Sequence, residues 1–144
     1  MIATGCYSGY LPIAPGTWGS LVGLLLVFLL HNLSLPVYLA LVAGLFVLGS
    51  FAAGEAEKIL DTRDPGAVVI DEIVGMLIAM AAVPLTPLTM VLGFILFRIF
   101  DILKPFPVNF FDQRFHGGLG IMLDDLMAGI YSLIVLQLIL FLFF

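Results

Sequence analysis

The sequence predicts an all-α membrane protein, a polytopic bundle of about five transmembrane helices with its N-terminus in the cytoplasm. Three observations lead there. Of 144 residues, 62% are hydrophobic and 10% charged, against about 25% charged in soluble domains, and the mean hydropathy is +1.24. Apolar runs close to bilayer length recur five times, separated by turn-forming segments. The ionisable residues gather in or beside those segments that such a bundle brings to one face.

No Asp, Glu, Lys or Arg precedes Glu55, and His31-Asn32-Leu33-Ser34-Leu35-Pro36 divides this stretch at a turn. Two helices are expected, at about 17–33 and 36–53. The third run, 67–83, follows the turn residues Asp64-Pro65-Gly66 and ends at Pro84-Leu85-Thr86-Pro87. The fourth covers 88–103, where Pro105 and Pro107 stop it. The fifth runs over 119–144. Each approaches the ~20 residues that cross a ~30 Å hydrocarbon core, the shortest at the lower limit of ~17. A soluble helical bundle fits poorly, because 133–144 leaves almost no polar face for water.

Five spans place 1–16, 54–66 and 104–118 on one side. Lys58, Arg63, Lys104 and Arg114 fall there and Arg98 lies within two turns of it, so the positive-inside rule makes that side cytoplasmic. The chain is expected to form one domain over 1–144, without internal repeats. Its first ten residues lack a basic n-region, so the first span should stay in the mature protein. Cys6 is the lone cysteine, which excludes an internal disulfide and a cysteine-based metal cluster. A net charge of −5 argues against nucleic acid and for a cation ligand.

Asp71 and Glu72 in the third run, Asp101 in the fourth, and Asp124 and Asp125 in the fifth come to one shallow layer near the cytoplasmic interface. An unpaired charge facing lipid costs about 2.5 kcal/mol or more, so these groups must face each other or water. Several like charges packed together call for a cation, and carboxylate oxygens suit a hard divalent ion, first of all Mg²⁺. Glu57 and Asp61, four apart, reach the same layer if the second helix continues past Ala53. Glu55 reads as a solvated loop residue. Arg98 and Asp101, at i and i+3, suit an intrahelical ion pair or a role in the site. His31 reads as a loop residue, and His116 sits on the side suited to proton transfer.

Pro15-Gly16-Thr17-Trp18-Gly19-Ser20 opens the first helix with glycines and hydroxyls. Free N–H groups at a helix start bind anions, and glycine lets a phosphate approach the backbone. Thr17 also suits an N-cap, and Trp18 an interfacial anchor. The location strengthens the anion reading, since the motif shares its face with the acid layer, Arg98 and Lys104.

Four segments, SGYLPIAPGTWGS at 8–20, DPGAVVIDEIVG at 64–75, FRIFDILKPFP at 97–107 and HGGLGIMLDDLMAG at 116–129, together resemble the phosphatidylglycerophosphatase A family. They follow in order between residues 8 and 129. The resemblance implies a Mg²⁺-dependent lipid phosphatase of the bacterial inner membrane that converts phosphatidylglycerophosphate to phosphatidylglycerol. It carries over to Gly16, Thr17, Asp71, Glu72, Arg98, Asp101, Lys104, Asp124 and Asp125.

The expected site therefore has Asp71, Glu72, Asp101 and Asp125 in the chemistry. Glu57, Asp71, Glu72, Asp101, Asp124 and Asp125 are candidate metal ligands. Gly16, Thr17, Ser20, Arg98 and Lys104 would hold the phosphate. The partners are a phospholipid and the bilayer. An ion- or proton-coupled transporter would also bury carboxylates, but it needs a site near the midplane reached from both sides.

Overall fold

The computed structural model describes residues 3, 15–60, 69–103 and 117–144. Among them are five helices and no strand: α1 (Pro15–Leu30), α2 (Leu35–Leu60), α3 (Ile70–Ala79), α4 (Pro87–Leu103) and α5 (Gly117–Phe143). The expected helix positions hold for α1, α2, α4 and α5 to within a few residues at most ends. At its C-terminus α2 continues beyond Ala53 to Leu60, which brings Glu57 into a helix. The segments 61–68 and 104–116, with Asp61, Arg63, Asp64, Lys104, Arg114 and His116, lie outside the described residues, as does Cys6.

Local chemistry accounts for the ends. Pro15 opens α1 and Pro87 opens α4, positions where a missing N–H leaves no acceptor unpaired. Thr86 caps α4 reciprocally: Thr89 N donates to Thr86 Oγ1 at 3.1 Å, and Thr86 N donates to Thr89 Oγ1 at 2.9 Å.

α3 departs from expectation. Its apolar composition continues through Val83, yet the helix stops at Ala79 and has 10 residues, about 15 Å, or half a hydrocarbon core. Met80 to Ala82 turn instead, with Ala82 at φ 57. Gln137 of α5 donates to the Ala82 carbonyl at 3.3 Å and so holds this turn from outside α3. Two helices are long and apolar enough to cross a membrane alone, through Leu35–Ala56 in α2 and Leu119–Phe143 in α5.

The short helix is the centre of the bundle. Eight of its ten residues are buried, and it packs most broadly against α5 and α1, while α5 also meets α2 and α4. The large side chains turned outward are apolar: Leu25, Phe28, Leu29, Phe51, Ile95 and Phe141 are all exposed. That arrangement is inverted for water and suits lipid.

Consecutive helices alternate in direction. Gly16 at the start of α1 lies beside Glu72 at the start of α3 and Arg98 near the end of α4. At the other end, Tyr38 early in α2 donates its hydroxyl to the Leu77 carbonyl late in α3 at 2.5 Å. Tyr38→Phe removes this buried bond and should lower stability by about 1 kcal/mol. Thermal unfolding in detergent should show a lower midpoint; an unchanged midpoint would deny the bond a role in joining α2 to α3.

Candidate active site

The N-terminus of α3 carries the first carboxylates. Counting from Gly66 suggests that Asp71 and Glu72 lie a turn and a half inside a helix, but α3 begins at Ile70 and both stand in its first turn. There the helix dipole favours negative charge, by typically 0.3–1 kcal/mol at exposed positions. Two backbone donors at this end are engaged: Val69 N and Ile70 N both donate to the Ala3 carbonyl, at 2.8 and 3.0 Å. Buried Ala3 therefore fixes the start of α3. Sequence reading passes over it because a backbone carbonyl leaves no trace in residue type.

α5 supplies the third carboxylate. Asp125 lies two turns past Gly117, and one oxygen from each of Asp71, Glu72 and Asp125 falls within 4.8 Å of the other two. Asp71 and Asp125 are buried and Glu72 is partly so, with its Oε2 fully enclosed and accepting no hydrogen bond from the described residues. Two like charges at this distance repel by roughly 3 to 4 kcal/mol at an effective dielectric of ~20. Three ionised carboxylates need a proton or a cation between them. The donor set is entirely carboxylate oxygen, which suits Mg²⁺, Ca²⁺ or Mn²⁺ and disfavours the thiol- and imidazole-seeking metals. An enclosed oxygen without a donor is what such an ion would satisfy.

Asp124 is buried as well, but it is not one of the three whose oxygens converge. Successive residues on a helix point about 100° apart, and the rotation of α5 turns Asp125 rather than Asp124 toward Asp71 and Glu72.

Beside this cluster stands a cation. Arg98 Nη1 pairs with Asp101 Oδ2 at 2.5 Å, one helical turn apart, with side chains 20% and 12% exposed. Both charges lie close enough to Glu72 to act on it. α1 closes the other side: a Cβ on Gly16 would lie 3.0 Å from Arg98 Nη1 and 3.1 Å from Glu72 Oε1. The absence of a side chain at Gly16 lets the first turn of α1 approach both groups. Backbone N–H groups in that turn have no acceptor within the helix, the arrangement by which helix N-termini bind anions.

The remaining expected residues divide. Thr17 is half-buried inside the first turn of α1, which begins at Pro15, so it is not an N-cap. Trp18 is exposed, as an interfacial anchor would be. Ser20 is fully buried, and its hydroxyl donates to the Gly16 carbonyl at 2.8 Å. Glu57 lies near the end of α2, with its side chain outside the described residues, and Lys104 lies outside them entirely. Glu55 is exposed and paired with Lys58 at 2.9 Å. His31 sits at the opposite end of the bundle, with Nδ1 2.5 Å from the Phe28 carbonyl.

The sequence profile of the phosphatidylglycerophosphatase A family matches residues 1–140. The chain belongs to that family. A phosphatidylglycerophosphatase A from Haemophilus influenzae is 44% identical over 94% of this chain and 84% of its own. One from Escherichia coli is 38% identical over 92% of this chain and 77% of its own. A relative from Bacteroides thetaiotaomicron, 41% identical over 94% of this chain and 89% of its own, is provisionally named a phosphatidylinositol-3-phosphatase. No solved structure matches. As a member of the phosphatidylglycerophosphatase A family the chain is an enzyme of the phosphatase class. Its two long apolar helices accord with a lipid setting.

Proposed function

We propose that the chain hydrolyses the terminal phosphomonoester of phosphatidylglycerophosphate, giving phosphatidylglycerol and inorganic phosphate, with Mg²⁺ at the cytoplasmic face of the bacterial inner membrane. The observation that carries this reading is the convergence of Asp71, Glu72 and Asp125 beside Arg98 and the first turn of α1. Cation ligands and anion contacts then share one end of one domain.

In this reading the chain crosses the membrane five times with the N-terminus inside, the third crossing made by the short α3 together with the non-helical residues 80–86 that follow it. The lipid tails stay in the bilayer while the head group reaches the start of α3. Asp71, Glu72 and Asp125 would hold Mg²⁺, with Asp101, Asp124 and Glu57 as further candidate ligands. Bound there, Mg²⁺ would offset two of the cluster's three negative charges and polarise a phosphoryl oxygen. Arg98 and the N–H groups around Gly16 and Thr17 hold the other phosphoryl oxygens, with Lys104 as a second cation. Ser20 joins them only by turning its hydroxyl away from the Gly16 carbonyl. Water attacks phosphorus as the ester P–O bond breaks. A cluster carboxylate takes the proton of the water, and the leaving glycerol oxygen gains one.

A carboxylate-based transporter remains the rival. It requires access from both ends, whereas the described carboxylates all belong to the end of the bundle with the α3 N-terminus. A cavity at the other end is lined by Val27, His31, Tyr38, Met80 and Val83 among others, with no carboxylate.

Purified protein in liposomes should release phosphate from phosphatidylglycerophosphate with Mg²⁺ and stop with EDTA. Phosphatidic acid, lysophosphatidic acid and phosphatidylinositol 3-phosphate, run in parallel, test the head group. Absence of turnover on phosphatidylglycerophosphate in both detergent and liposomes would reject the proposal; faster release from another lipid would reassign the substrate.

A further inference from the structure

Asp71 and Asp125 stand on different helices, so their separation depends on how closely α3 and α5 approach. Gly75 lies one turn beyond Asp71 on α3, and Gly129 one turn beyond Asp125 on α5. The two glycines form the crossing point. A Cβ on Gly129 would come 2.5 Å from the Gly75 carbonyl oxygen, and one on Gly75 would come 2.7 Å from the Asp125 carbonyl oxygen and 2.5 Å from Phe97 Cε2. Cβ atoms essentially never approach within 3.0 Å. Two of these three obstacles are backbone, which cannot rotate aside as a side chain does.

We propose that the Gly75–Gly129 crossing is a spacer that keeps α3 and α5 close enough for the carboxylates to close on a small divalent ion. Gly75 and Gly129 are thus positioning residues whose loss weakens Mg²⁺ more than Ca²⁺. The proposal rests on the reading of Asp71, Glu72 and Asp125 as a cation site. An ion bound at 2.0–2.1 Å places opposed oxygens about 4.2 Å apart and adjacent ones about 3 Å apart, with little tolerance, whereas Ca²⁺ accepts 2.3–2.6 Å and irregular geometry. The three oxygens lie within 4.8 Å of one another, already beyond the ~4.2 Å that spans Mg²⁺, so any further separation of the helices works against the smaller ion first. A methyl group at the crossing must push the helices apart by a large fraction of an ångström. One turn away, Asp125 moves with its helix, and the wider gap suits the larger ion.

The experiment is calorimetric titration of the purified full chain with Mg²⁺ and with Ca²⁺, without substrate. Gly129→Ala should raise the Mg²⁺ dissociation constant about tenfold or more, in the range typical of residues that orient metal ligands, and the Ca²⁺ constant by less. Adding Asp125→Glu, whose longer arm crosses the widened gap, should recover Mg²⁺ binding in the double variant. A merely structural glycine would shift the unfolding midpoint and leave the ratio of the two constants unchanged. If Gly129→Ala does not insert, Gly75→Ala with Phe97→Leu relieves the ring contact and keeps the contact with the Asp125 carbonyl, and the same change in ratio is expected. Unaltered constants in a folded variant overturn the spacer while leaving the cation site intact. If neither variant folds, the crossing serves folding alone and the selectivity role is overturned. A wild-type chain that binds neither ion overturns the cation-site reading itself, and the spacer with it.

Discussion

Glu72→Gln is expected to reduce phosphate release by about 10²–10⁴-fold, the range seen when a general base or a charge-stabilising group is removed, while expression and insertion persist. Glu72 is the sharpest choice because its Oε2 is enclosed without a hydrogen bond among the described residues and its Oε1 faces Gly16. Asp71→Asn and Asp125→Asn should follow it, since each removes one of the three converging oxygens. Stability separates this outcome from simple misfolding. Without a divalent ion, neutralising one of three clustered carboxylates relieves repulsion, so the EDTA-treated variants should unfold at or above the wild-type midpoint. Mg²⁺ at 100 times its dissociation constant stabilises the wild type by about 2.7 kcal/mol, roughly 5 to 11 °C for a chain of this size. The variants should lose most of that response. Near-normal rates in all three would remove the metal assignment.

Composition made the all-helical architecture legible, because no strand pattern and hardly any amphipathic alternation occurs in a chain so apolar. Pro and turn residues marked most of the helix ends, as at His31 to Pro36 and at Pro84 to Pro87. α3 escaped because its stop is tertiary: Met80 to Ala82 are as apolar as the helix before them, and the turn is held by Gln137 from the far end of the sequence. The acids were visible as a group, since buried charge in an apolar chain demands an explanation. Which of Asp124 and Asp125 joins Asp71 and Glu72 was not visible, because that depends on the rotation of α5 about its axis. Packing of Gly129 on Gly75 sets this rotation, and glycine in a sequence does not announce which backbone it will touch. Ala3 shows the same limit, acting on α3 through its carbonyl alone.

Arg98→Ala should lower kcat/KM by about 10²–10³-fold, the usual loss on removing a donor aimed at developing charge. Arg98→Lys should recover little of it. The guanidinium lies between Asp101 on one side and the bare backbone of Gly16 on the other, so in the proposed site a planar fork would meet the phosphoryl oxygens in one orientation. A lysine ammonium keeps the charge and loses the fork. If Arg98 serves only to pair with Asp101 inside the bundle, Arg98→Lys should instead retain nearly full kcat. Asp101→Asn completes the argument, because Asp101 can act either as an ion ligand or by orienting Arg98. Orientation through Arg98 predicts a fall in kcat/KM close to that of Arg98→Lys, with Mg²⁺ binding unchanged by titration. A ligand role predicts weakened Mg²⁺ binding that higher Mg²⁺ concentrations partly restore. The single hydrogen bond from Arg98 to Asp101, with Asp101 outside the group of three converging carboxylates, favours orientation.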